Sequence, residues 1–238
     1  MRYSLGRGIV IKTENAAKPD TQASGALLEY LAALKSVGTS FDYGCGKLRY
    51  VEAILRTTDT LTVVDSDAQL GRSQVIFGRE TTIRDVARRS NRIAAENTIE
   101  FSCPSESFDR GFCINVLSVI PSFAARRDVL HLIRQKLRPG GECLFVVQYR
   151  NSDFTRMRAL PNARPWRDGF IVDSLRGFSF YGLISPSRLA ALVRKCGFKV
   201  LSQHLDDGRV FLMARSLERP SAEIAVLDEM NFKIAERN

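Results

Sequence analysis

Ser40-Phe41-Asp42-Tyr43-Gly44-Cys45-Gly46-Lys47 is the stretch on which the reading of the chain turns. A short strand end, Ser40 to Asp42, runs into a turn with two glycines, and Val51 to Leu55 then restores helical periodicity. Glycines in such a turn let backbone approach a ligand closely, and the amides that open the following helix offer hydrogen bonds. Further on, the β-branched run Leu61-Thr62-Val63-Val64 ends in Asp65-Ser66-Asp67, which reads as a second parallel strand with acids at its carboxyl end. Two nucleotide readings fail on spacing. A dinucleotide turn G-x-G-x-x-G needs glycine where Arg49 stands. A phosphate-cradling loop needs Ser or Thr after Gly46-Lys47, where the chain has Leu48.

Outward from the turn, helix and strand patterns alternate. The spacing of Ala26, Leu27, Leu28, Leu31, Ala32 and Leu34 predicts a helix ending near Gly38, with Thr21 or Ser24 as its cap. Asp85 to Glu96, with Arg84, Arg88, Arg89 and Arg92 in and beside it, predicts an exposed basic helix. Thr98 to Phe101 reads as a third strand, Arg110 to Val116 as a fourth, Ala125 to Leu137 as a helix and Glu142 to Tyr149 as a fifth strand. Pro186 to Cys196 is helical again, and Asp206-Asp207-Gly208 joins Phe198–Leu205 to Arg209–Ala214 as a hairpin. We therefore expect an α/β fold: a doubly wound, Rossmann-like, mostly parallel seven-stranded sheet with an antiparallel last strand. Residues 1–23 read as an N-terminal extension, 24–216 as the domain, about 150–184 as an aromatic and arginine-rich insertion, and 217–238 as a tail that is an amphipathic helix or disordered.

Asp42-x-Gly44-x-Gly46, followed one helix and one strand later by Asp65, resembles class I S-adenosylmethionine-dependent methyltransferases. Ser107-Phe108-Asp109-Arg110-Gly111-Phe112 resembles that family's fourth strand, and Leu137-Arg138-Pro139-Gly140-Gly141 the approach to its fifth. Ser185-Pro186-Ser187-Arg188-Leu189 through Lys195-Cys196-Gly197-Phe198 is similar to its late helix-to-strand segment. The resemblance implies S-adenosylmethionine as cofactor. It places Asp42, Gly44 and Gly46 around the methionine part and Asp65 at the ribose, with Cys45, Ser66 and Ser102 as further candidates for cofactor contact. Leu48 stands where a third glycine is usual, and Ser102 stands at the strand-three position where many members carry an acid against adenine. Among the bland readings, Asp67 is a helix cap, Cys45 a space-filling residue, Lys47 a surface charge and His131 a helix residue without chemical duty.

Asn115-Val116-Leu117-Ser118-Val119-Ile120-Pro121, with Arg126 and Arg127 after it, is similar to methyltransferases associated with DNA phosphorothioation. Asn115 is a candidate both for cofactor contact and for orienting an acceptor, against the alternative of a carboxamide that satisfies loop backbone. Tyr149, at the end of the fifth strand, is the other catalytic candidate, and Tyr149, Arg150, Arg156, Arg158, Trp166 and Tyr181 are candidates for the substrate side.

The 238 residues carry 45% hydrophobic and 26% charged side chains, enough for a globular core. Five scattered cysteines and two histidines exclude a disulfide framework and a histidine-rich metal site, so no metal is expected. No apolar run approaches the roughly 20 residues that span a bilayer, and the N-terminus does not read as a signal peptide, so a cytoplasmic protein without membrane association is expected. The formal charge of +9 favours nucleic acid as acceptor, with Trp166 or Phe154 stacking a base and arginines neutralising phosphates. Gly182-Leu183-Ile184-Ser185-Pro186-Ser187-Arg188-Leu189 resembles small-molecule enzymes of the family, and on that reading the insertion is a lid over a small acceptor. A methyltransferase-like fold that has lost its cofactor and serves as a binding module is the non-enzyme alternative.

Overall fold

The computed structural model describes residues 2–6, 8–103, 107–150 and 152–217. Chain order is β1 (Arg2–Ser4), β2 (Val10–Lys12), α1 (Gly25–Ala32), β3 (Val37–Tyr43), α2 (Val51–Leu55), β4 (Thr58–Asp65) and α3 (Asp67–Gly71). There follow β5 (Gln74–Ile76), β6 (Arg79–Thr81), α4 (Ile83–Arg88), β7 (Ile93–Asn97), α5 (Thr98–Ser102), β8 (Phe108–Ile114), α6 (Phe123–Lys136) and β9 (Leu137–Gln148). The rest is α7 (Ser152–Arg158), β10 (Ala163–Trp166), β11 (Gly169–Val172), β12 (Ser179–Gly182), α8 (Pro186–Lys195), β13 (Phe198–Asp206) and β14 (Arg209–Ser216).

The central sheet has seven strands in the order β13-β14-β9-β8-β3-β4-β7, with β14 antiparallel to both neighbours and the pairs from β9 to β7 parallel. This is the expected Rossmann-like sheet with its antiparallel last strand. Alternate residues feed two cores, as the two-residue strand period requires. Cys143, Phe145 and Val147 of β9 join Phe41, Tyr43 and the α6 and α8 side chains Leu130, Ile133 and Val193 on one face. Leu144 and Val146 join Leu27, Leu31, Val51 and Ile54 of α1 and α2 on the other. The β13–β14 turn is Asp207-Gly208, both at positive φ, as the hairpin signal requires.

Four expectations are corrected. The stretch from Asp85 to Glu96 is not one helix: α4 ends at Arg88 and Ile93–Asn97 is the third strand, β7, paired in register with Leu61–Asp65. Thr98–Phe101 is not a strand but lies in α5, because Asn97 accepts from the amides of Ile99 and Glu100 while the Glu100 carboxylate takes the Asn97 amide. That reciprocal cap starts a helix wherever the residues after it have no strand partner. Helix α1 stops at Ala32, and Gly38 lies inside β3. Asp67 is the first residue of α3, whose cap is Ser66.

The segments expected to be peripheral are folded. Within the insertion β10, β11 and β12 form a three-stranded antiparallel sheet, and β1 pairs with β2. Phe178 joins the two through a bridge to Ile11 and the bond from Lys12 N–H to Phe178 O, 3.1 Å. Beneath, Arg126 of α6 pairs with Asp168 of the β10–β11 turn through two bonds of 2.5 and 3.1 Å, both side chains nearly inaccessible. Among the described residues no helix is long and apolar enough to cross a membrane. The tail from 218 lies outside the described residues, as does the side chain of Phe154.

Candidate functional site

The β3 strand delivers Asp42 to the carboxyl edge of the sheet, where the chain turns through Gly44 at φ +78° and Gly46 at φ +59°. A side chain at Gly44 would collide with Val116, so that position is closed to any larger residue. The N–H groups of Gly44 and Cys45 both donate to Val64 O, Gly46 N–H donates to the Asp65 carboxylate at 3.0 Å, and Leu48 N–H to Cys45 O. Gln69, fully buried, donates its side-chain amide to Gly46 O from behind. With four amides of the turn committed and the carboxylates of Asp42 and Asp65 beside it, the turn suits a cation better than a phosphate. Leu48 takes the left-handed conformation, φ +59°, that a glycine would adopt without strain. Its fully buried side chain offsets the cost of roughly 1–2 kcal/mol.

Two carboxylates face this turn. Asp42 is 4% exposed, and among the described residues no donor reaches it; burial first, and then the charge of Asp65, push it up to about 7, with Arg49 pulling the other way. Asp65 is raised by burial and lowered by the amides of Ser66, 2.7 Å from Oδ1, and Gly46. With the Ser66 side chain as a further partner, the two Asp65 oxygens together still keep a lone pair for a hydroxyl. The Cys45 thiol is pushed well above its ordinary range by burial, which removes it as a nucleophile and matches a space-filling role.

These groups form one end of a cavity of about 420 Å³. The N-terminal segment walls it with Thr13, Ala17, Lys18 and Gln22, Ala17 Cβ lying 3.5 Å from where a Gly46 side chain would begin, and Arg49 fastens the segment by donating to Lys18 O. Val116, which lies against Gly44, lines the cavity with Val119, Ile120 and Tyr181 from the insertion sheet. Into this apolar wall are set Asn115, Ser118 and Gln148. Asn115 sits at φ +62°, and its Oδ1 accepts from Gln148 Nε2 at 2.9 Å, so its carboxamide serves a side chain rather than loop backbone.

Of the residues singled out in the sequence, Asp42, Gly44, Cys45, Gly46, Asp65, Asn115 and Tyr181 line the cavity, as does Lys47, half-buried there although it reads as a surface charge. Ser66 stands just outside it, capping α3 and donating to Asp65. The structure does not bring Ser102 there: it is exposed at the end of α5, past the true third strand, its hydroxyl bonded to Ile99 O. Tyr149 and Arg150 turn away, both amides donating to Gly208 O, with the Arg150 guanidinium over the Tyr149 ring. Arg156 and Arg158 lie on the exposed α7, and Trp166 packs in the cluster of Ile11, Ile171 and Phe180. Missed were the N-terminal wall, Arg49, Ser118, Gln148 and Arg209. Gln148 carried a signal, a lone polar residue closing the apolar run Cys143 to Val147 at a carboxyl edge.

Comparison with known proteins agrees with this fold. A solved structure titled as a complex of DhpI with S-adenosylhomocysteine superposes with a TM-score of 0.58 at 17% identity, covering 82% of this chain and 84% of that one. The N-methyltransferase NodS of Bradyrhizobium japonicum WM9, also in complex with S-adenosylhomocysteine, superposes with a TM-score of 0.53 at 17% identity over 81% and 85% of the two chains. The Escherichia coli K12 protein YmfD, described as uncharacterized, is 32% identical over 219 residues, 91% of this chain and 96% of its own length. The family model for a methyltransferase domain matches residues 17–203, and with most of its length so matched the chain belongs to the methyltransferase-domain family.

Proposed function

We propose that the protein transfers a methyl group from S-adenosylmethionine to a small-molecule acceptor. The observation that carries the cofactor is the oxygen-rich end of the cavity, where Asp42 lacks any donor among the described residues and Asp65 keeps a spare lone pair beside two glycines. The residues fit: Asp42 pairs with the ammonium of the methionine part, and Asp65 receives a ribose hydroxyl while holding the Gly46 amide. Bound there, the cofactor supplies an electrophilic methyl group on a sulfonium. The chain's own contribution is positioning, exclusion of water by the N-terminal segment and the insertion sheet, and a carboxylate environment favourable to positive charge.

The size of the acceptor follows from the enclosure. At about 420 Å³ the cavity lies toward the lower end of the roughly 300–1,000 Å³ usual for ligand sites, and a cofactor takes much of it. Part of its wall is formed by two segments fastened to each other at Phe178, which narrows the site and suits a small acceptor rather than a polymer strand. Several arginines, three of them in the basic stretch Arg84 to Arg92, are also engaged within the fold. Arg84 pairs with Asp67, Arg88 with Asp85, Arg92 caps the carbonyls of Leu55, Thr58 and Asp59, and Arg126 is buried against Asp168.

Incubating the protein with S-adenosylmethionine and mixed small-molecule or nucleic-acid acceptors, with S-adenosylhomocysteine formation read by mass spectrometry across a salt series, tests both halves. Turnover with small acceptors that changes little with salt is expected. Turnover confined to nucleic acid and falling steeply with salt contradicts the acceptor assignment.

A further inference from the structure

The cavity wall also holds a polar side chain whose bonds are largely accounted for. Gln148 is 8% exposed. Its N–H donates to Ser118 Oγ at 3.0 Å, its C=O accepts from Ile184 N–H at 3.1 Å, and its Nε2 donates to Asn115 Oδ1 at 2.9 Å. Left over are the second Nε2 hydrogen and Oε1, the latter buried and, among the described residues, without a donor. Three bonds fix the residue and leave an acceptor oxygen on a wall that also carries Val116, Val119 and Ile120. Leaving such an oxygen unmet is costly, so its natural partner is a ligand N–H or O–H. Either orientation of the two coupled carboxamides leaves one oxygen and one NH₂ group over, so the pair always offers an acceptor.

We propose that Gln148, held by Asn115 and Ser118, receives a hydrogen bond from the acceptor's nucleophilic atom, and that this atom is an uncharged amine nitrogen. The inference rests on the methyl-transfer reading of the same site. An amine is favoured over a hydroxyl because no histidine lines the cavity, His131 lying on α6 and His204 on β13, and a neutral amine needs no base to attack. It is favoured over a carboxylate because an anion would face the Gln148 oxygen. The protonated ammonium form has no lone pair to donate, so the amine attacks as the neutral species. The amine lone pair forms the nitrogen–carbon bond, the carbon–sulfur pair returns to sulfur, and the proton of the resulting ammonium leaves to water. The Gln148 bond orients the N–H away and thereby the lone pair toward the methyl group.

Ligand-observed NMR on the protein saturated with S-adenosylhomocysteine tests this with aniline, N,N-dimethylaniline, phenol and benzoate as probes. Aniline is expected to bind about tenfold more tightly than its dimethylated analogue, and more tightly than phenol or benzoate. The preference over dimethylaniline is lost in Gln148→Leu and kept in the isosteric Gln148→Glu, while S-adenosylhomocysteine affinity stays within about twofold in both. Equal binding of aniline and dimethylaniline, no binding of aniline, preferred binding of phenol or benzoate, or a preference that survives in Gln148→Leu overturns the proposal. Failure of the unmodified protein to bind S-adenosylhomocysteine instead overturns the cofactor reading, and the aniline comparison without it still decides the role of Gln148.

Discussion

At the scale of the residue, Asp42 is where stability and function pull apart. Its ordinary value is 3.8 and in the fold it is pushed up to about 7, chiefly by burial. Between these values the folded chain holds a proton that the unfolded chain has released, so this group's contribution to stability falls as pH rises from about 4 to about 7 and stays low above. Asp42→Asn is therefore expected to raise the melting temperature of the ligand-free protein at pH 8 by several degrees, with little effect near pH 4. The same change should weaken S-adenosylhomocysteine binding about 100-fold, since the ammonium loses its carboxylate. In the unmodified protein that affinity should fall about tenfold per pH unit below about 7. Titration calorimetry and thermal unfolding across pH check both; a pH-independent affinity, or an Asn variant less stable at pH 8, contradicts the role assigned to Asp42.

At the scale of the element, the buried Arg126–Asp168 pair seats the insertion sheet on α6, and Arg126 also donates to Ile120 O in the cavity wall at 2.9 Å. Removing one partner strands a buried charge. Arg126→Met alone is expected to cost about 3–5 kcal/mol, and Arg126→Met with Asp168→Leu much less. Denaturant unfolding of the two single variants and the double variant measures the coupling; single costs below about 1 kcal/mol contradict the seating role. Elements were legible where pattern and punctuation agreed: Leu61 to Asp65, Asp206-Asp207-Gly208 and Pro186 onward all fell where the sequence put them. The third strand did not, because Ile93 to Ala95 is short and its apolar residues merge with those of α4 when the Asn97–Glu100 cap is overlooked. Helical periodicity in Thr98–Phe101 was invisible over so few residues.

At the scale of the whole molecule, a charge of +9 suggested a polyanionic partner, yet composition does not record pairing. Arg84, Arg88, Arg126, Arg138 and Arg215 are all matched to acids by the fold. Binding to a short DNA duplex is accordingly expected to be weak, and turnover of a small acceptor to change by less than about twofold between roughly 50 and 200 mM salt. Fluorescence anisotropy and assays at both salt concentrations check this, and submicromolar duplex binding with a steep salt slope contradicts it. The half of the site on one contiguous motif, Asp42 to Gly46 with Asp65, could be read from sequence. The other half could not, since Thr13 and Ala17, Tyr181, Gln148 and Arg209 come from four distant segments that only the tertiary fold brings to one cavity. Tyr149 shows how fine the distinction is, one residue past Gln148 and turned to the other side of the strand end.

The central claim, a cofactor held by the Asp42–Gly46 turn and Asp65, is tested most directly by titration calorimetry of S-adenosylhomocysteine into the protein and into its Asp65→Ala variant. The account predicts stoichiometric binding to the unmodified chain and a loss of at least about 100-fold in the variant, which removes both the ribose contact and the anchor of the Gly46 amide. No binding to the unmodified chain, or equal affinity in the two, would contradict it.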